Sequence, residues 1–173
     1  MELTLTEMET PAGPVRLAAT ELGVCTLYFS DGWDKALRHL KTRFGDLSFQ
    51  NIDDAHGAVA ALRKYFKGDM RAIESVPVDI AGTPFQERVW SELRLIPVGR
   101  TISYGELARR VGSPDASRAV GAANGLNPVS IIVPCHRVIG SNGKLTGYGG
   151  GMERKRWLLE HEGAHAETPL LPF

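Results

Sequence analysis

The sequence predicts an α+β protein of two small domains, 1–80 and 83–173. Up to residue 80, short apolar runs at 3–8, Val15–Ala19 and Val24–Phe29 alternate and are broken by Pro11-Ala-Gly-Pro14 and Gly23, the pattern of a strand meander. From Thr83 onward, Ser/Thr-x-x-Glu/Gln boxes open segments of helical periodicity. A length of 173 residues with 43% hydrophobic content suffices for one or two compact cores.

In the first domain, Ala36, Leu37, Leu40 and Phe44 recur at helical spacing and Gly45 closes a helix over 34–44. Val59, Leu62, Tyr65 and Phe66 mark a second helix, Ala58–Phe66, and 76–80 reads as a last strand. Cys25 lies in the third strand as a packing residue. No recognisable chemistry falls here, so the domain is read as support.

In the second domain, Thr83 caps a helix with Pro84 at its first position and Gln86 completing the box. Ser103 and Glu106 form another box, opening a short helix with Leu107 and Val111. Gly112 turns the chain, and Ser113-Pro114 caps a helix over 114–124. Two short helices across a glycine turn fit a helix-turn-helix or an ordinary helical hairpin. On the second, Arg118, Gly121, Ala122 and Gly125 share one face. A face so bare suits close approach to a minor groove, about 6 Å wide, or tight packing against another helix. Ser141-Asn-Gly-Lys144 reads as a hairpin turn, Met152–His161 as the last helix, and the Pro-containing tail 164–173 as loose.

Formal net charge is zero, but the distribution is uneven. Residues 1–82 carry 9 basic and 12 acidic side chains, whereas 99–156 carry 9 basic and 3 acidic. A basic face within a neutral chain is compatible with nucleic acid. Two cysteines without a Cys-x-x-Cys exclude a recognisable zinc module and argue against a disulfide framework. No apolar run approaches 18 residues, and the acidic N-terminus lacks a secretory core. The expectation is a cytoplasmic protein with no membrane partner, no metal and no cofactor; the glycine run 147–151 lacks a phosphate-loop Lys-Ser/Thr.

The chemistry concentrates in 127–140. Val129, Ile131, Ile132 and Val133 predict an apolar strand that Pro134 stops, delivering Cys135 and His136 at a rigid place. A thiol with pKa about 8.5 is only about 3% thiolate at pH 7 and needs a base. His136 is the adjacent candidate and Glu162 a further partner.

Pro134-Cys-His-Arg-Val138 resembles the active-site signature of the O6-alkylguanine-DNA alkyltransferases, most like the bacterial stand-alone form. The likeness extends to Arg118-Ala-Val-Gly-Ala-Ala-Asn-Gly-Leu-Asn-Pro128, to 141–150 and to 156–163, about half of the chain. It implies a ribonuclease-H-like first domain, its short sheet antiparallel, and a winged-helix-like second domain. It also implies single-turnover SN2 transfer of an alkyl group from O6-alkylguanine in duplex DNA to Cys135, with the nucleotide flipped through the minor groove. By the same resemblance His136 is the base, acting through a water, and Glu162 orients it. Tyr104 assists rotation and donates toward O6, Asn127 is a hinge, and Arg118 fills the vacated stack. Ser103, Ser113, Ser117, Gly121 and Ser141 join Arg118 and Tyr104 at the DNA surface, and Tyr148, Gly149, Val138 and Ser130 line the base pocket. Arg137 is assigned to structure.

Ser130 stands where some members have Pro, and Gly149 where some have Ser, which could widen the range to bulkier adducts or O4-alkylthymine. The partner is duplex DNA carrying the lesion, and the protein is expected to be a monomer. Rival readings are a non-catalytic sensor of alkylated DNA, a DNA-binding regulator and a Cys-His-Glu thiol hydrolase.

Overall fold

The computed structural model describes residues 1–164; the tail beyond them, 165–173, lies outside the described residues. The chain divides into two compact units, Met1–Ile80 with Pro128–Ile132, and Ala81–Asn127 with the chain from Val133 onward. The five residues Pro128–Ile132, expected in the second domain, thus belong to the first unit.

In the first unit, strands β1 (Glu2–Met8), β2 (Val15–Ala19) and β3 (Val24–Phe29) form an antiparallel meander, with Thr4 opposite Ala19 and Leu17 opposite Leu27. Helix α1 (Trp33–Phe44) leads to a strand that the sequence does not announce, β4 (Ser48–Asn51). It pairs in parallel with β1 at the sheet edge, giving the order β3-β2-β1-β4. Its four residues are mostly exposed, so they carry no buried alternation to reveal it. Helix α2 (Ala58–Phe66) follows, with the bounds its periodicity predicts. Leu3, Ala18 and Cys25 on the strands pack with Trp33, Ala36 and Leu40 of α1. Burial pushes the Cys25 thiol up to about 11, and Sγ donates to the Ala18 carbonyl at 3.3 Å, so it stays a packing residue.

The strand expected at 76–80 is only a bridge between Val78 and Val24. Val24 N donates to Pro77 O and Asp79 N to Val24 O, each at 2.9 Å, and Pro77, without an N–H, cannot extend the ladder. The approach is so close that a Cβ on Gly23 would lie 2.7 Å from Pro77 O.

The strand expected at 129–133 is likewise not formed. Val129 bridges Leu27 alone, through Leu27 N to Pro128 O at 2.9 Å and Ser130 N to Leu27 O at 3.0 Å. The chain then turns: Ile132 N donates to Ser130 O at 2.8 Å around Ile131, whose φ is +71°. This is a γ-turn of the rare, strained hand, on a β-branched residue. Val129, Ile131, Ile132 and Val133 are all buried, so the apolar run reports burial and not extension.

The second unit opens with α3 (Pro84–Leu93), whose capping box is complete. Gln86 N donates to Thr83 Oγ1 at 3.2 Å, and Thr83 N to Gln86 Oε1 at 3.0 Å. Strand β5 (Ile102–Ser103) runs into α4 (Tyr104–Arg110), capped by Ser103 Oγ accepting from Glu106 N at 3.0 Å. The Glu106 carboxylate pairs with Arg109 at 2.6 Å and Arg110 at 3.2 Å instead of reaching back to Ser103. Gly112, with φ +80°, turns the chain toward α5 (Ser117–Gly125).

Helix α5 starts three residues later than the sequence predicts. Ser113 accepts from Ala116 N through its carbonyl at 2.9 Å, closing a turn, and its side chain caps nothing in α5. Trp90 of α3 ties α5 down through Nε1 to Ala123 O at 2.8 Å. Strand β6 (Val138–Ile139) pairs in parallel with β5, and α6 (Met152–His161) is the last element among the described residues. Among the described residues, no helix is long and apolar enough to cross a membrane.

Candidate active site

Two tight turns carry the thiol. Cys135 N donates to Val133 O at 2.8 Å around Pro134, whose φ of −83° and ψ of 65° make an inverse γ-turn. The ring of Pro134 restricts φ to near that value and so predisposes the turn. A 3-10 turn over Cys135–Arg137 follows, feeding β6. Asn127 Nδ2 donates to Val133 O at 2.8 Å and Asn124 Nδ2 to Cys135 O at 3.3 Å, so the C-terminal end of α5 is fastened to the thiol's backbone on both sides of Pro134.

Cys135 is 5% exposed. Burial raises its thiol above the ordinary value, outweighing the Asn127 hydrogen bond and the Lys155 charge that pull it down. The resting group is therefore a protonated thiol that must lose its proton to react.

His136 is fully buried, with Nε2 2.9 Å from Glu162 Oε2 and, among the described residues, no partner on Nδ1. Burial works against ionisation of Glu162, but the charges and hydrogen bonds of His136 and Arg137 prevail and hold its carboxyl well below the usual range. A carboxylate only accepts, so Nε2 carries a hydrogen, and in the neutral tautomer Nδ1 is the nitrogen that keeps its lone pair. Arg137 grips the same carboxylate, Nε to Oε1 at 2.8 Å and Nη2 to Oε2 at 2.9 Å, and reaches Ile96 O with Nη1 at 2.7 Å. The structural assignment of Arg137 thus acquires a target the sequence did not reveal.

Sequence reasoning passes over Lys155. It is fully buried on α6, donating from Nζ to Val138 O and Thr146 O at 2.6 Å each and to Gly147 O at 3.4 Å. Burial lowers its ammonium to about 8, against a smaller opposing pull from Cys135. Its signal is present: Lys155, Leu158, Leu159 and Glu162 share one helical face, so a lysine stands in the apolar stripe. Asn124 is missed as well, although it is in phase with buried Val120 and Ala123.

Tyr104 is half-buried, and its hydroxyl donates to Thr146 O at 3.2 Å. Burial raises its pKa, so it remains a phenol and a donor. A Cβ on Gly121 would sit 3.7 Å from the Tyr104 ring, an ordinary contact. Arg118, Ala122 and Gly125 are exposed, so most of the bare face of α5 is open and tight packing does not account for it.

A family model described as 6-O-methylguanine DNA methyltransferase, DNA binding domain, matches residues 84–164. Over 160 residues the chain is 43% identical to the methylated-DNA–protein-cysteine methyltransferase of Shigella flexneri, covering 91% of this chain and 94% of that one. The chain belongs to this methyltransferase family. The Mycobacterium bovis methyltransferase is 57% identical over 117 residues, 68% of this chain and 70% of its own. The crystal structure of the Mycobacterium tuberculosis O6-methylguanine methyltransferase superposes with a TM-score of 0.78 at 43% identity, covering 93% of each chain. That mycobacterial protein has also been solved in complex with DNA, with a TM-score of 0.76, 43% identity and 92% of each chain covered.

The other expected methyltransferase site residues are distributed unevenly. Val138 is buried beside the thiol turn and gives its carbonyl to Lys155. Tyr148 is half-buried, and Gly149 is exposed, with open space for 4 Å around the position a Cβ would take. Ser103 spends its hydroxyl on the α4 cap, while Ser117 and Ser141 are exposed. Ser130 falls in the first unit, in the γ-turn at Ile131.

Proposed function

We propose that this chain is a direct-reversal DNA repair protein, transferring the alkyl group of O6-alkylguanine in duplex DNA to Cys135. The observation that carries this reading is the buried thiol next to an imidazole whose Nε2 is fixed by Glu162 and whose Nδ1 accepts from nothing among the described residues. A nucleophile so enclosed cannot meet a base held in the stack, so the nucleotide is extruded, at a cost of a few kcal/mol. The open face of α5 suits entry along the minor groove, with Arg118 filling the gap left behind.

The thiol proton passes through a water to His136 Nδ1, and Glu162 stabilises the resulting imidazolium. Sγ attacks the alkyl carbon, the C–O6 bond breaks, and its electron pair leaves with guanine. The Tyr104 hydroxyl and a backbone amide near Tyr148–Gly149 donate to the charge that develops on the base. Asn127 holds the turn on which the thiol sits. The thioether product has no proton to lose and is a poor leaving group, so each molecule acts once. The first unit supports the second, and the protein works as a cytoplasmic monomer. A non-catalytic lesion sensor would leave the Cys135–His136–Glu162 arrangement without a use.

The test is label transfer from O6-methylguanine duplex DNA to protein, comparing the wild type with Cys135→Ser. Stoichiometric labelling of the wild type, with none in a variant that still binds the DNA, is the expected result. Lesion loss in molar excess over protein, or with Cys135 unmodified, defeats the reading.

A further inference from the structure

Residues 99–156 carry nine basic side chains, and the fold leaves few of them free. Arg109 and Arg110 share the Glu106 carboxylate, Arg137 grips Glu162, and Arg156 faces Glu160 at 3.7 Å. Lys155 is buried on backbone carbonyls, and Arg154 reaches back to Gly150 O at 3.2 Å. Arg100, Arg118 and Lys144 remain, exposed and with no partner for their head groups among the described residues. Arg118 has its use in the gap left by the extruded nucleotide. The other two have none so far.

The small sheet of the second unit separates these two. β5 and β6 run parallel, Ile102 opposite Val138 and Ser103 opposite Ile139, so the chain leaves both strands at the same end. There β5 gives way to Tyr104, and β6 to the turn that carries Lys144. Arg100 precedes β5 and lies at the other end, next to Gly99, where a Cβ would stand 3.5 Å from Glu162 O at the close of α6. The turn is firmly built. Gly140 N donates to Lys144 O at 2.9 Å, and Lys144 N to Asn142 Oδ1 at 3.1 Å. Leu145 is buried with Ile139 and Leu159, while Lys144 and Thr146 on either side of it are exposed. Thr146 O, two residues beyond Lys144, accepts the Tyr104 hydroxyl. A free ammonium thus stands on a fixed backbone at the Tyr104 end of the site.

We propose that Lys144 is a phosphate-binding residue whose ammonium pairs with a backbone phosphate of duplex DNA flanking the extruded nucleotide. This deepens the transfer function proposed above and rests on it. A phosphate suits the donor: it recurs at every nucleotide and demands no fixed geometry from a point charge on a flexible stem. Pairing releases counterions condensed on the duplex, so the contact shows in the salt dependence of binding and is indifferent to sequence. Lys144 meets no reacting atom in this role, so it governs affinity and not the chemical step.

The experiment titrates the full chain against lesion-free and O6-methylguanine duplexes by fluorescence anisotropy across a salt series, and follows single-turnover transfer against protein concentration. Lys144→Gln should lower the slope of log affinity against log salt by about 0.9 on both duplexes, so that its disadvantage shrinks roughly threefold between about 50 and 200 mM salt. Its transfer defect should appear in the concentration giving half the maximal rate and not in the maximal rate. Lys144→Arg keeps the charge and should restore the slope. Arg100→Gln removes the same charge from the other end of the sheet and should keep the wild-type slope. Both side chains are exposed, so the variants should fold. An unchanged slope in Lys144→Gln, an equal loss in Arg100→Gln, or a defect confined to the maximal rate overturns the proposal while leaving methyl transfer intact. Absence of transfer by the wild type would instead remove the underlying function.

Discussion

Replacing His136 by alanine separates the chemistry from the fold. The imidazole is wholly buried, yet its loss leaves Glu162 neutralised by two Arg137 hydrogen bonds, 2.8 and 2.9 Å. The structural penalty is then a core truncation, about 1–3 kcal/mol, and the variant should fold. The chemical penalty is larger. Burial raises the Cys135 thiol, so at pH 7 its thiolate fraction lies below the roughly 3% of a free cysteine. A positioned general base is worth about 10²–10⁴-fold, the loss expected at pH 7 in single-turnover transfer from O6-methylguanine DNA. The pH profile supplies the sharper signature. Without an internal base the rate follows thiolate, rising about tenfold per pH unit from 6 to 8 because the thiol titrates above that range. The wild type, which carries its own base, should show a shallower slope there. A variant within fivefold of wild type at pH 7, or with an equally shallow profile, would refute the assignment of the base.

Glu162→Gln should be worse for stability than His136→Ala, since it leaves the Arg137 guanidinium buried without its counter-charge; urea unfolding should register a loss of about 3–5 kcal/mol. Because the Glu162 carboxyl is held below its ordinary value, its contribution is present above about pH 5 and fades as the pH falls toward its lower folded value, so the gap between wild type and variant should narrow in acid. Lys155, lowered to about 8, is a cost and not a gain: its burial cost persists below pH 8 and is relieved as the pH rises toward 10.5, so wild type should gain on Lys155→Met over that interval, measured by unfolding at pH 7.5 and pH 10. Tyr104→Phe removes a donor without touching the thiol, and should slow transfer about 10²-fold while DNA affinity in a gel-shift titration changes little.

What the sequence could and could not disclose has a physical pattern. Helices α2 and α6 are legible to the residue because their stripes repeat at helical spacing, and the α3 cap because Thr83, Pro84 and Gln86 act on neighbours three positions away. Cys135 and His136 are legible because they are contiguous. The run at 129–133 misleads because β-branched residues signal burial in a turn as readily as in a strand; nothing in the letters announces that Ile131 takes φ +71°. Lys155 and Asn124 stayed hidden for a deeper reason. Their partners are backbone carbonyls, Val138 O and Thr146 O for one and Cys135 O for the other. Every residue owns a carbonyl, so no residue type marks where such an acceptor will stand. Composition and motif therefore pick out the side chains that react, whereas the groups that hold them in place become visible only when the fold has brought the backbone to meet them.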